Sequence, residues 1–163
     1  MNDTNNIGPQ AGAEPVGVVI QVIAQYVKDL SFENPQAPGG LLGGNVAPSI
    51  EASVDVAARR LGDVEFESEL KVTARARRGE VTVFLVELVY GALFRIERAP
   101  QELLEPILLI ECPRLLFPFA RRVVADVTRD GGFAPLLIDP IDFASLYQRQ
   151  RAQRQNEQPV GLA

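Results

Sequence analysis

Between Ile50 and Ala76 the chain alternates apolar and polar side chains with a period of two. Ile50, Ala52, Val54, Val56 and Ala58 alternate with Glu51, Ser53, Asp55 and Arg59. Further on, Val64, Phe66, Leu70, Val72, Ala74 and Ala76 fall on one face, and Glu65, Glu67, Glu69, Lys71, Thr73, Arg75 and Arg77 on the other. Only an extended strand sends successive side chains to opposite sides, so the pattern predicts a sheet with one dry face and one wet face. Leu61–Asp63 and Arg78–Glu80 each contain a glycine and separate the runs at hairpin length. An earlier run, with Val18, Ile20, Val22, Ala24 and Tyr26 alternating, reads as a first strand. Strands two, three and four are expected to form an antiparallel meander.

The fourth strand, from Val81 to Ile96, is apolar on both sides. Thr82, Phe84, Val86, Leu88, Tyr90, Ala92, Phe94 and Ile96 share one face. Val81, Val83, Leu85, Val89 and Leu93 share the other, interrupted by Glu87, Gly91 and Arg95. Helices on one side would cover only one of these faces, and a large uncovered apolar surface marks an interaction site. Helical signals follow the strands. Pro100-Gln101-Glu102 opens a segment ending before Pro113, with Pro106 as a possible kink. A second helix runs from Ala120 to Arg129 and stops at Gly131-Gly132. A third is capped by Asp142, with Phe143, Leu146 and Tyr147 at helical spacing. Strands followed by helices predict an α+β domain, a four-stranded antiparallel sheet with C-terminal helices packed on one face. The domain is expected over 16–150. Residues 1–15 and 151–163, rich in Asn, Gln, Gly and Pro or in Gln and Arg, read as tails that bury too little to order.

Composition limits the chemistry. The 163 residues include no His and one Cys, which removes Ser-His-Asp and Cys-His catalysis, His-containing zinc sites and any internal disulfide. No cofactor or metal is expected. With 14 Arg and 2 Lys against 21 acidic residues, the net charge of -5 argues against binding nucleic acid through phosphates. No run of 18 apolar residues predicts a transmembrane helix, and no secretory signal is recognised, so a reduced, cytoplasmic setting is expected. Gly39-Gly40 and Gly43-Gly44 lack the Lys-Ser/Thr of a phosphate loop and read as a flexible loop. Cys112 reads as a small buried hydrophobe. Glu65, Glu67 and Glu69 share a wet face, where an acid pair for carboxylate chemistry stays open but nothing singles one out. The remaining capability is binding through apolar surface, suited to extended polypeptide.

Three segments carry a specific resemblance. They are Tyr26 to Pro38 (YVKDLSFENPQAP), Cys112 to Arg121 (CPRLLFPFAR), and Gly132 to Phe143 (GFAPLLIDPIDF) running into Leu146-Tyr147. In this order and spacing, over about residues 18 to 150, the chain resembles the SecB family of bacterial protein-export chaperones. The resemblance implies a SecB-like fold assembled as a dimer of dimers. It also implies ATP-independent capture of unfolded precursors in the cytoplasm, and their delivery to the translocation ATPase SecA. SecA contacts in the family correspond to Asp29, Glu33, Leu85 and Glu87, which would meet its zinc-bearing C-terminal tail. Tetramer contacts correspond to Val86, Leu88 and Tyr90. The aromatic client subsite corresponds to Phe84 and Phe119, with Val46 where the family usually has Trp; this chain has no Trp. The partners implied are therefore precursor proteins, SecA and further copies of the chain, with no insertion into the membrane. An alternative is a SecB-like chaperone that controls a toxin-antitoxin pair.

Overall fold

The computed structural model describes residues 17–42 and 46–157; the expected tail over 1–15 lies outside them. Strands β1 (Val19–Glu33), β2 (Ser49–Arg60), β3 (Glu65–Arg78) and β4 (Val81–Glu97) form one antiparallel sheet in the order β1-β4-β3-β2. The α+β class and the β2-β3-β4 meander expected from the alternation are both present. β1 closes the sheet by pairing with β4, so β1 and β2 are its two edges. Between them in the chain a four-residue helix, α1 (Gly39–Leu42), stands where Gly39-Gly40 read as a flexible loop, and Gly43-Gly44 lies outside the described residues.

The single face expected for Val18 to Tyr26 does not survive. β1 slips against β4 between Val22 and Ala24, and again between Val27 and Asp29. Each bulge spends an extra residue and reverses the alternation. Ile20 and Val22 therefore face the same side as Ile96 and Phe94, whereas Ala24 and Tyr26 share the opposite side with Leu93 and Gly91.

Leu70, Val72 and Ala74 of β3 and Val86, Leu88 and Phe94 of β4 are completely buried on one face of the sheet. That face is covered by a helical run in three parts: α2 (Gln101–Pro106), a π-helical turn (Ile107–Glu111) and α3 (Cys112–Asp130). Sequence reasoning ends the first helix before Pro113, yet the run continues through it. In the π turn the Cys112 N–H reaches back five residues to the Ile107 carbonyl. The next carbonyl in that register is Leu108, and its donor would be residue 113, a proline with no N–H. Ser68 of β3, fully buried, donates its Oγ to the Leu108 carbonyl at 3.1 Å. A sheet hydroxyl thus replaces the missing helix donor. Ser68→Ala should lower the unfolding free energy by about 1–3 kcal/mol by leaving a buried carbonyl unpaired. A lowered denaturant midpoint at constant slope would register it, and an unchanged midpoint would refute it.

α3 ends at Asp130, where the glycine pair stops it, and Gly132 has φ +92°, a conformation that a side chain disfavours. α4 (Phe143–Glu157) starts at Asp142, whose Oδ1 accepts from the Ser145 N–H at 3.0 Å and whose Oδ2 accepts from the Ser145 hydroxyl. These bonds hold the Asp142 carboxyl below the ordinary carboxylate range. The tail expected from 151 is helical to Glu157, although only Phe143 and Tyr147 of α4 are buried. Strong helix formers such as Gln, Arg and Ala carry the helix beyond its last packed residue. Residues 158–163 lie outside the described part.

Val86, Leu88 and Tyr90, which the resemblance gives as contacts between copies, lie in the core of the single chain. Val86 and Leu88 are 0% exposed and Tyr90 is 6% exposed, all within the core of a single chain. β4 is apolar on both faces because it is central, and the face bearing these three is the one its own helices cover. On the other face Leu85, Val89 and Leu93 are half-buried.

Candidate functional site

Two surfaces stand out. The first is a cleft of about 580 Å³ at the edge where Gly40, Leu41, Leu42, Ala47 and Pro48 face the loop after α3. Leu41, Ile50, Phe84, Phe133 and Leu136 give it apolar walls. Phe84 stands at its base, with ring centroids 5.0 Å from Phe133 and 6.1 Å from Phe32. Arg78 holds the near rim, donating Nε to the Val46 carbonyl at 3.0 Å and Nη1 to the Gly40 carbonyl at 3.4 Å.

The far wall is equally determined. Thr128, fully buried on α3, accepts the Leu136 N–H at 2.9 Å and donates to the Val124 carbonyl at 2.9 Å. Asn34, just beyond β1, donates to the Gly131 carbonyl at 3.0 Å. Gly131 lies so close to the Phe32 ring that a Cβ would collide with it. The glycine pair therefore does more than stop α3: it lets the wall approach the aromatic cluster.

Of the three residues expected to bind clients, Phe84 lines this cleft, and exposed Val46 is tied to its rim. Phe119 is 42% exposed on α3 and does not line it. Phe32 and Phe133 were missed by residue pattern. Their only signal is membership of the first and third resembling segments.

The second surface is the helix-free face. Residues directly opposite in an antiparallel ladder share a face. Glu33 pairs with Leu85, Ser31 with Glu87 and Asp29 with Val89, so Asp29, Glu33, Leu85 and Glu87 form one continuous patch. On β3 the same rows continue as Arg75, Thr73 and Lys71. Asp29, Glu33 and Glu87 are exposed, and none has an ion-pair partner among the described residues. Three carboxylates on a partly apolar strip suit a cationic segment that also carries apolar side chains.

The β3 glutamates are placed differently. Glu65 pairs with Arg95 at 3.4 Å, Glu69 with Lys28, and Glu67 with both Arg59 and Lys28. Glu67 also accepts the Tyr26 hydroxyl. The hydrogen bond from Arg59, helped by those from Tyr26 and Lys28, holds Glu67 at about 2 against the ordinary 4.5, although burial works the other way. A general acid needs the opposite shift. Burial pushes the Cys112 thiol up to about 12, so it is a poor nucleophile. Among the described residues no group of three or more acidic or Cys side chains is placed to hold a metal, and no helix is long and apolar enough to cross a membrane.

A one-sided sheet with an apolar cleft at its edge and an unneutralised acidic strip on its open face defines a binding protein of α+β architecture. The family model described as preprotein translocase subunit SecB matches residues 13–154. A protein-export protein SecB of Caulobacter vibrioides is 52% identical over 163 residues, covering 98% of this chain and 99% of that one. That of Maricaulis maris is 53% identical over 154 residues, covering 94% and 89%. Among solved structures, a SecB-like chaperone of Mycobacterium tuberculosis, in complex with a peptide from an antitoxin, superposes with a TM-score of 0.64. It is 16% identical, covers 75% of this chain and 90% of its own, and establishes likeness of fold alone. The chain belongs to the SecB family and is a chaperone of protein export.

Proposed function

We propose that the chain is a cytoplasmic, ATP-independent holdase that keeps precursor proteins unfolded and passes them to SecA. Client segments enter the cleft around Phe84 and Phe133, where apolar side chains are removed from water. Such sites are individually weak, so affinity comes from one long client occupying several of them across a homotetramer. The exposed apolar side chains of β1, rather than Val86, Leu88 and Tyr90, are where copies meet. SecA docks on the open face through Asp29, Glu33, Leu85 and Glu87, and any zinc in that contact belongs to its tail. The observation that carries the partner reading is the unpaired state of Asp29, Glu33 and Glu87, beside β3 glutamates that are all neutralised.

The test has two arms. Purified protein should suppress aggregation of a denatured precursor without nucleotide, and no suppression at fourfold excess would reject the holdase reading. The double variant Asp29→Ala, Glu87→Ala should lose about tenfold or more in affinity for SecA, since removal of complementary charge at a partner contact costs on this order. Unchanged affinity would reject the docking reading. An antitoxin-directed role finds no support in a residue of this chain, because the peptide-bound neighbour shares only its fold.

A further inference from the structure

The open face holds a device that the acidic strip depends on. Tyr26 and Asp29 are three positions apart, so strict alternation would put them on opposite faces. Their partners Gly91 and Val89 are two apart on β4 and share a face. The extra residue is absorbed by the bulge at Lys28, between Val27 and Asp29. Because of that bulge Asp29, Ser31 and Glu33 point to the open face while Leu30 and Phe32, opposite Leu88 and Val86, point to the helices. A β1 without it would turn Leu30 and Phe32 to the open face and both acids to the helix side.

Two side chains at the bulge end on one carboxylate. The Tyr26 ring lies over Gly91, where a Cβ would come within 2.9 Å of it. Its hydroxyl passes across β4 to donate to Glu67 on β3. Lys28, the bulged residue, donates to Glu67 at 3.3 Å and also bonds Glu69. Glu67, its side chain 5% exposed, is held from the far side by Arg59 of β2. Burial, followed by the hydrogen bond to Glu67 and its charge, pushes the Tyr26 phenol up to about 12, so it stays a donor at any physiological pH. Register is specified by burial of one face, and most of β1 is exposed, so burial alone holds it weakly.

We propose that Glu67, gripping Tyr26 and Lys28 across Gly91, pins the β1 bulge and so sets the phase in which Asp29 and Glu33 are presented to the cationic partner. Tyr26 and Glu67 are positioning residues, since neither belongs to the docking strip. This rests on the reading of that strip as the SecA surface.

The experiment uses the full chain, with the SecA C-terminal tail peptide as probe and amide hydrogen exchange as a second readout. Tyr26→Phe keeps the ring over Gly91 and removes only the donor; Gly91→Ala pushes the ring off. Both should weaken peptide binding about threefold to tenfold, because only the fraction of molecules in the correct register is competent to bind. Exchange should rise over residues 28–33 alone, with the rest of the sheet as protected as before. A general loss of folding would instead degrade client capture and raise exchange throughout. If Asp29→Ala abolishes peptide binding while Tyr26→Phe and Gly91→Ala bind normally, the proposal is wrong and the docking reading stands. If Asp29→Ala itself has no effect, the docking reading fails and exchange decides the anchor. A rise confined to 28–33 upholds it, and no rise overturns it.

Discussion

Phe94→Ala is expected to lower the unfolding free energy by about 3–5 kcal/mol, the range for deleting a buried aromatic. Phe94 is 0% exposed, with Phe66 opposite it on β3 and Val22 on β1. Hydrogen-bonded strands flank it on both sides, so the backbone cannot close over the vacated space and most of the cavity persists. Domains of this size are stable by about 5–15 kcal/mol, so one substitution removes a large share. Phe119→Ala provides the contrast. Phe119 is 42% exposed on α3, one turn after exposed Leu115, and its loss should cost about 1 kcal/mol, far less than loss of Phe94. If it also joins client capture, as the resemblance implies, aggregation suppression should fall with stability intact. Denaturant melts of both variants, beside the client assay, separate the two roles. Equal losses of stability would contradict the burial that distinguishes them.

The parts of the fold legible in the sequence are those where one residue's environment follows from its parity. β2 and β3 alternate without interruption: Val72 and Ala74 mark the buried face of β3, and Val54 and Val56 of β2 are half-buried on the same side. Parity fails in β1, because a bulge is an inserted residue with no characteristic side chain: Ile23 and Lys28 look like ordinary strand residues. Pro113 misleads for a related reason. A proline ends a helix when its missing N–H leaves a carbonyl bare, but here Ser68, 40 positions from Leu108, fills that place. β4 announced that both its faces avoid water, yet nothing local says which face the chain's own helices will take. That choice depends on α2 and α3, and it places Val86, Leu88 and Tyr90 in the core of the single chain. The open-face patch was legible through resemblance, and the ladder register explains it, since Asp29 and Glu33 reach Leu85 and Glu87 only across β1 and β4. The cleft was half legible. Phe84 belongs to an alternating strand, whereas Phe32 and Phe133 meet it from distant segments that no spacing rule connects.

The second large effect concerns β1 as an edge. The strand is 15 residues long, and Val22, Ile23, Val27 and Leu30 on it are exposed. Val22, Val27 and Leu30 lie opposite Phe94, Tyr90 and Leu88, on the side of the sheet that the helices occupy but beyond their cover. A long apolar edge left open recruits another strand, and soluble proteins normally blunt or cover it. Two copies related by a two-fold axis would satisfy both edges by pairing β1 with β1 and laying the apolar side chains together. The double variant Val27→Asp, Leu30→Asp brings four carboxylates to such a seam, each losing water without gaining a partner. On the homotetramer proposed above, the mass from light scattering at micromolar concentration should then fall from about four times 17.8 kDa to that of a dimer or a single chain. Val86→Ala should instead destabilise each chain without splitting the assembly selectively, because Val86 is a core residue of one copy. A tetramer that survives both aspartates would place the contact away from β1. Leu115 and Phe119, an exposed apolar pair on α3, would then be the next surface to substitute.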